Sequence, residues 1–244
     1  MPLVGALAMG IPLYVFPRPF ARLADLSGDD LLIYQLGGAA MIGYAVALAM
    51  SVRTAEWLPL RFVVLATYAW AALSFFAGFI AIASNQLNGF VIVVLLWAVL
   101  VAWSIGQVLV AHRGAVAGPR DVATWTAAVL VLATLSAAVF GLGPQIVGPF
   151  AALMGYRGTD EFVYRLAGAA CFGYAVMGAQ ELRSLHWDDM RLPNVMALVF
   201  NALAFVAAAL ELAAGRTTLL AVLVALAAGL FTVAIAAILV RRGR

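Results

Sequence analysis

One segment of the chain occurs twice. Residues 33–46, IYQLGGAAMIGYAV, return 130 positions later at 163–176 as VYRLAGAACFGYAV. The match extends without a gap over residues 19–61, where 19 of the 43 aligned pairs are identical. Self-similarity of this length indicates that one structural unit has been duplicated. The sequence therefore predicts two copies of the same architecture in one chain.

The composition predicts what that unit is made of. The chain is 66% hydrophobic and 10% charged, whereas soluble domains are about half apolar and a quarter charged. Its apolar stretches have the length at which an α-helix crosses a bilayer, and they lack the alternation of a membrane β-strand. We therefore predict an all-α, polytopic transmembrane helix bundle with eight spans arranged as two parallel four-helix repeats. The predicted spans are about 1–16, 31–51, 62–84, 89–111, 122–142, 161–181, 193–213 and 217–240.

The division of the chain follows from these spans. The first four-helix repeat is placed at 1–114, the linker and the start of the fifth span at 115–130, and the second repeat at 131–244. The segment HRGAVAGPRD at 112–121 is the linker candidate because it is short and contains glycine and proline. The first span is shorter than its counterpart, so either translation starts further upstream or this helix is short. The N-terminus lacks the positive region of a cleaved signal, and we keep it in the fold.

The arginines predict the orientation. All 14 basic residues are arginine, and with the N-terminus inside, nine of them fall on the cytoplasmic side and five outside. The positive-inside rule then places both termini in the cytoplasm of a bacterial inner membrane. Two repeats of four spans must share one orientation, unlike the inverted repeats of many transporters. Arginines at helix ends meet lipid head groups, so the net charge of +3 does not indicate a nucleic-acid partner.

The duplicated segment carries small residues at the spacing of close helix packing. Small residues four positions apart let two helix backbones approach, and in lipid this packing is a main source of helix association. We expect the two copies of this helix to face each other, with Tyr34, Tyr44, Tyr164 and Tyr174 either bonding across the contact or lining a lipophilic pocket. The packing residues are Gly38, Ala39, Gly43, Gly168, Ala169 and Gly173.

An Arg-x3-Trp-x3-Arg pattern follows each copy of the segment. A spacing of four would place all three side chains on one helical face. Tryptophan prefers the membrane interface and arginine the head groups beyond it, so we interpret the pattern as a lipid head-group anchor rather than a site for a phosphate ligand. The anchor residues are Arg53, Trp57, Arg61, Arg183, Trp187 and Arg191.

The outer loops place acidic and hydroxyl residues just before the duplicated helix. Ser27 and Asp30 precede the first copy, and Thr159, Asp160 and Glu161 precede or open the second. We interpret them as helix caps and first-turn acids rather than as an ion site.

Few polar groups fall within the predicted spans. Asn201 lies near mid-membrane, with Asn194 seven residues earlier on the same face, and either an interhelical hydrogen bond or a substrate contact explains them. Arg165 is spaced for an ion pair with Glu161. If a substrate path exists, its candidate residues are Arg165, Asn194, Asn201 and Glu211. The asparagines and Glu211 have apolar counterparts 130 positions earlier, so this path would be asymmetric and in the second half.

The chain shows no pattern that indicates catalysis. His112 and His186 lie at the predicted cytoplasmic edge, and no phosphate loop, nucleophile motif or Cys/His cluster is present. Cys171 is the lone cysteine and is read as a buried small apolar residue. We predict a protein that is not an enzyme, with no catalytic residues and no metal ligands.

The repeated pattern PFA…L…G…D…YxLxGAAxxGYAV…R…W…R resembles the small four-helix bacterial membrane proteins of the DoxX-like group. Each half of the chain carries the pattern about once. The resemblance implies that a four-helix unit can stand alone and was fused here by tandem duplication. Some members of that group are membrane subunits associated with quinone-linked enzymes, but no catalytic residue carries over to a position in this chain.

The sequence leaves two main functions open. The first is a non-catalytic accessory or scaffold subunit that packs against other membrane subunits and binds membrane lipids or a lipophilic cofactor, with lipid, quinone and carotenoid as the candidates. The alternative is a transporter or flippase for a small or hydrophobic solute along the interface of the two repeats. A quinone-linked enzyme subunit is a third and poorer option.

Overall fold

The computed structural model describes residues 2–54, 57–112, 119–146, 148–155 and 158–242. Residues 113–118, most of the predicted linker, lie outside the described residues. Within the described ranges the regular structure is entirely helical. The helices are α1 (Pro2–Val15), α2 (Pro17–Leu23), α3 (Leu31–Thr54), α4 (Trp57–Ala83), α5 (Gly89–Ala111), α6 (Thr124–Ile146), α7 (Gly148–Leu153), α8 (Glu161–Ser184), α9 (Trp187–Ala213) and α10 (Leu219–Arg242).

Seven of the described helices, α3 to α6 and α8 to α10, are long and apolar enough to cross a membrane. Helix α1 has 14 residues, or roughly 21 Å, which is shorter than the hydrocarbon layer. It is followed at once by α2, at a bend of 118°. The pair makes an eighth span only if the two helices are counted together. The prediction of an all-helical bundle of membrane-spanning length is thus confirmed.

Helices α4 and α9 begin earlier than the predicted spans at 62 and 193. Pro59 lies in the first turn of α4, where its missing N–H costs nothing, because the first N–H groups of a helix have no partner within it. Helix α9 continues through Pro193, and its first turn holds Asp188 and Asp189, whose charges favour a helix N-terminus. The segments expected to be loops are therefore the first turns of long helices.

The same boundaries correct the prediction that each Arg-x3-Trp-x3-Arg pattern lies on one helical face. Arg183 belongs to the last turn of α8, whereas Trp187 and Arg191 belong to α9. Between them, Leu185 has a left-handed backbone with φ of 50°, which ends α8. Arg53 likewise lies in α3, and Trp57 begins α4. A change of helix axis between residues removes the common face that a spacing of four would give.

The core is formed by α3, α4, α8 and α9, and it interlocks the two halves. Helix α3 packs against α9, and α4 packs against α8, whereas the consecutive helices α3 and α4 touch each other little. Helices α1 and α6 cover α3 and α8, and α5 and α10 cover α4 and α9. The halves predicted at 1–114 and 131–244 therefore share one core, in which each half lends a helix to the other.

The helix boundaries repeat with the displacement found in the sequence. Helix α8 begins and ends 130 residues after α3, and α9 begins and ends 130 residues after α4. Helix α10 begins 130 residues after α5 and extends one residue further. A position in one half can therefore be compared directly with its counterpart in the other.

Candidate functional site

Two tyrosines cross at the centre of the core. The Tyr174 hydroxyl donates to the backbone oxygen of Ala40 at 2.9 Å, and the Tyr44 hydroxyl lies 3.3 Å from that of Ala170. These two bonds are equivalent, since each residue of one is displaced by 130 from its counterpart. The two rings meet edge to face with centroids 5.2 Å apart. Each phenol thus ties α3 to α8.

The predicted packing glycines divide between two contacts. A Cβ built on Gly173 would lie 1.8 Å from the Tyr44 hydroxyl oxygen, and one on Gly43 would lie 2.2 Å from that of Tyr174. Gly38 instead faces α1, and Gly168 faces α6, each against backbone atoms closer than 3 Å to a Cβ. Ala39 and Ala169 are fully buried. Thus Gly43 and Gly173 leave room for the crossed phenols, and the other two glycines seat the outer helices.

A groove runs along the second half, walled by α6, α8, α9 and α10. Its cavity volume is about 120 Å³, or about 1140 Å³ with the space on its open side. Helices α6 and α10 contact each other little, so the groove opens sideways between them, toward the surface that would face lipid. Along α8 its lining extends from Tyr164 to Glu181, which is roughly 25 Å of helix.

The equivalent space in the first half is filled by an indole. Trp97 of α5 lies against α1, with its Nε1 only 2.8 Å from a Cβ built on Gly5. It also packs on Trp70, with ring centroids 4.6 Å apart. The residue 130 positions after Trp97 is Ala227, which lines the groove. Replacement of an indole by a methyl group accounts for a groove in one half and not in the other.

Three polar side chains gather at one end of the groove, where α8 ends. They are Glu181 of α8, Asn194 of α9 and Thr134 of α6. The Asn194 amide donates to Glu181 Oε1 at 2.9 Å and to the Met190 backbone oxygen at 2.8 Å. Asn194 Oδ1 and Thr134 Oγ1 are buried and have no hydrogen-bond partner among the described residues. Their counterparts in the first half are, in the same order, Ser51, Val64 and Val4, so this polar end exists only once.

The rest of the groove is mostly apolar. Asn201 lies two turns along α9 from Asn194, and its amide donates to the Ala197 backbone oxygen at 2.8 Å. Cys171 also lines the groove and is only partly buried, so it is not the enclosed core residue that we expected. Aromatic side chains and small residues of the four helices form the remaining wall. The site therefore suits an elongated apolar body with a polar group at one end.

The four candidate path residues do not lie together. Asn194 and Asn201 line the groove, but Arg165 and Glu211 do not. Arg165 forms the predicted ion pair with Glu161 at 2.9 Å. Glu211 is bound by Arg216, with Nη2 to Oε1 at 2.8 Å. The sequence-based set omitted Glu181 and Thr134, although the exchange of a valine at position 4 for Thr134 was visible at the displacement of 130.

The outer loops correct the capping prediction for Asp160. This carboxylate makes no capping bond to its own helix. It accepts hydrogen bonds from the Ser27 N–H and Oγ at 2.9 and 2.8 Å, from the Gly28 N–H at 2.9 Å, and from the Tyr34 hydroxyl. Partial burial raises the pKa of Asp160, but these bonds outweigh that effect and hold it below its ordinary value. Asp160 therefore fastens the first outer loop to the second half.

Asp30, the counterpart of Asp160, has a different environment. It accepts bonds from the backbone N–H groups of Ile33 and Leu32, as predicted for a helix cap. Burial, and to a smaller extent the charge of Glu211, nevertheless raise its pKa above the ordinary value. The nearby Arg216 lowers it in part. The two outer acids thus serve one as a cap and one as a crosslink.

The predicted anchor residues are placed at the opposite end of the bundle. Trp57 stacks on His112 with ring centroids 4.2 Å apart, and the Trp187 N–H donates to Asp121 at 2.8 Å. Arg183 and Arg191 point outward. The side chain of Arg53 lies outside the described residues, and Arg61 has interactions of its own. These positions leave the head-group role a prediction.

Among the described residues no group of three His, Cys, Asp or Glu side chains could hold a metal ion. No protein-family model matches the chain, and no curated protein or solved structure is significantly similar to it. The resemblance to the DoxX-like group therefore stays a prediction.

Proposed function

We propose that this protein is a non-catalytic bacterial inner-membrane protein that holds a lipophilic molecule in the groove of its second half. The observation that carries the proposal is the exchange of Trp97 for Ala227 together with the polar end at Glu181, Asn194 and Thr134. An empty space in a helix bundle costs packing energy. A groove that is also given buried polar groups, on one side only, is better explained by an occupant than by loose packing.

The proposed architecture has eight spans in two parallel repeats, with α1 and α2 forming the first span and both termini in the cytoplasm. The equal displacement of the helix boundaries supports the duplication. The arginine distribution supports the orientation. In this orientation the polar end of the groove faces the cytoplasmic leaflet, and the ligand enters sideways from the bilayer.

The protein acts, in this proposal, as an accessory subunit that presents or stores the bound molecule. The alternative transporter would need a path along the interface of the repeats. That interface is the tightly packed core of α3, α4, α8 and α9, with its crossed tyrosines, whereas the groove lies within one half. The packing therefore favours binding over passage between the repeats.

The test is to fill the groove in the way that the first half is filled. The variant Ala227→Trp places an indole where the groove opens, and Leu226→Trp places one on the adjacent outward-facing position, where Leu226 is 68% exposed. Native mass spectrometry of protein released from membranes would count the retained lipophilic molecules. We expect the wild type and Leu226→Trp to carry the same molecule and Ala227→Trp to lose it.

Equal occupancy in Ala227→Trp and Leu226→Trp would overturn the proposal. A thermal unfolding curve of each variant in the same detergent shows whether the fold has been kept. A reciprocal variant, Trp97→Ala, should open a groove in the first half and add a second, apolar binding position.

A further inference from the structure

The polar end of the groove offers hydrogen-bond acceptors and one acid, and this composition identifies the kind of head group that fits. Among the described residues that line the groove, Glu181 is the sole ionisable acid and none is Arg, Lys or His. Glu181 is 2% exposed, and no cation pairs with it in the described part of the chain. An anionic head group would place a second negative charge beside this carboxyl and find no base.

The orientation of the Asn194 amide is settled by its neighbours. Its Nδ2 lies within hydrogen-bond distance of Glu181 Oε1 and of the Met190 backbone oxygen. A backbone oxygen can only accept, so the nitrogen and not the oxygen must face Met190. This leaves Oδ1 as the atom without a partner, in a residue that is 1% exposed. A buried carbonyl oxygen of this kind calls for a donor from outside the protein.

Thr134 adds a third acceptor at the same level. Its Oγ1 lies 2.1 Å from a Cβ built on Gly178, one turn before Glu181, and it has no partner among the described residues. Three helices thus converge on one place with a carboxyl, an amide oxygen and a hydroxyl oxygen. A primary ammonium has three N–H donors and one positive charge, and a buried carboxylate is stable only when it is paired or protonated.

We propose that the groove binds single-chain amphiphiles with a primary ammonium head group, with the ammonium at Glu181, Asn194 and Thr134 and the chain along the apolar wall toward Tyr164. This inference rests on the proposed function and names the ligand class of the same groove. The lateral opening between α6 and α10 lets the chain enter from the bilayer. The ammonium replaces the proton of Glu181, so no charge is left uncompensated.

The test uses three probes with the same chain: dodecylamine, dodecanol and dodecanoate. Binding to the whole protein in lipid nanodiscs is measured by calorimetry at neutral pH, after subtraction of uptake by empty nanodiscs. We expect the amine to bind about tenfold or more tightly than the alcohol, since a charge-assisted hydrogen bond is worth that much, and the acid to bind weakest. Ala227→Trp should abolish binding of the amine and the alcohol.

Two variants locate the head group. Glu181→Gln keeps the shape and should bring the affinity for the amine down to that for the alcohol, which should itself be unchanged. Glu161→Gln is the matched control, because it removes the same charge from the same helix at a residue outside the groove, and it should leave the preference for the amine intact. Thr134→Val, which copies the first half, should lower amine affinity severalfold and gives a second readout if Glu181→Gln does not fold.

The possible failures are distinguishable. If the amine and the alcohol bind equally well and Ala227→Trp abolishes both, the ammonium proposal falls and the lipophilic groove stands. The same holds if Glu161→Gln lowers amine affinity as much as Glu181→Gln, because surface attraction would then explain the preference. If no probe binds in a way that Ala227→Trp prevents, both proposals fall.

Discussion

The crossed tyrosines give the sharpest prediction about stability, through the variant Gly173→Ala. The new Cβ would lie 1.8 Å from the Tyr44 hydroxyl oxygen and 2.7 Å from the Ala66 backbone oxygen. Tyr44 cannot move aside, because it is fully buried and its ring stacks on Trp70 with centroids 4.9 Å apart. Either α8 moves away from α4, or the phenol gives up its bonds to Ala170 and Ala66.

Both routes have a known cost. Overpacking of a tight contact destabilises by about 1–3 kcal/mol, and each lost hydrogen bond contributes about 0.5–1.5 kcal/mol. The two Tyr44 bonds are long, at 3.3 and 3.4 Å, so we take the lower part of that range. Together these terms predict a loss of about 2–4 kcal/mol in the free energy of unfolding. Reversible unfolding in mixed micelles, followed by circular dichroism, measures this quantity.

A control and a rescue decide whether the clash is the cause. Gly106→Ala also adds a methyl group within a helix, but nothing lies within 4 Å of its Cβ, so it should change stability by about 1 kcal/mol or less. In a Tyr44→Phe background the clashing oxygen is gone, and Gly173→Ala should cost at least about 1 kcal/mol less than in the wild type. A Gly173→Ala protein as stable as Gly106→Ala, or an unchanged cost in the Phe background, would refute the reasoning.

Three further predictions concern the same features. Gly43→Ala, whose Cβ would lie 2.2 Å from the Tyr174 hydroxyl oxygen, should also destabilise clearly more than Gly106→Ala in the same unfolding assay. Trp97→Ala should cost about 3–5 kcal/mol if the cavity stays empty, and added dodecanol should recover part of the loss in a thermal shift experiment. The lowered pKa of Asp160 means that its contribution to stability is present above the ordinary value of 3.8 and is lost as pH falls through the folded pKa. The melting temperature of the wild type should therefore fall toward pH 3 more steeply than that of Asp160→Asn, and parallel curves for the two would contradict the crosslink.

Much of the fold could be predicted from local sequence because it depends on local properties. An apolar stretch of membrane-spanning length forms a helix wherever it lies in the chain, so the helix starts at 31 and 89 were predicted correctly. The starts of α4 and α9 were placed too late, because proline and charge near a helix start resemble a loop. The ion pair of Arg165 with Glu161 was also predictable, since it spans one turn of one helix.

The candidate site depended on contacts that no local pattern contains. Asp160 has the sequence of a helix cap, yet Ser27 and Tyr34 of the other half bind it. Arg165 and Glu211 were grouped with the asparagines because all four are polar, but partners on their own segments hold them outside the groove. Glu181 resembled a residue at a helix end, and only the packing of α6 and α9 against α8 shows it buried.

By itself, therefore, the sequence determined that the chain is helical, where most helices lie, and that the second half departs from the first in its polar residues. The tertiary structure alone decided that α3 pairs with α9 and α4 with α8, and that Ala227 leaves space where Trp97 fills it. The physical reason is that helix formation is satisfied within a segment, through its own backbone hydrogen bonds. Packing, in contrast, joins side chains far apart in the chain, and a cavity is defined by what its neighbours fail to fill.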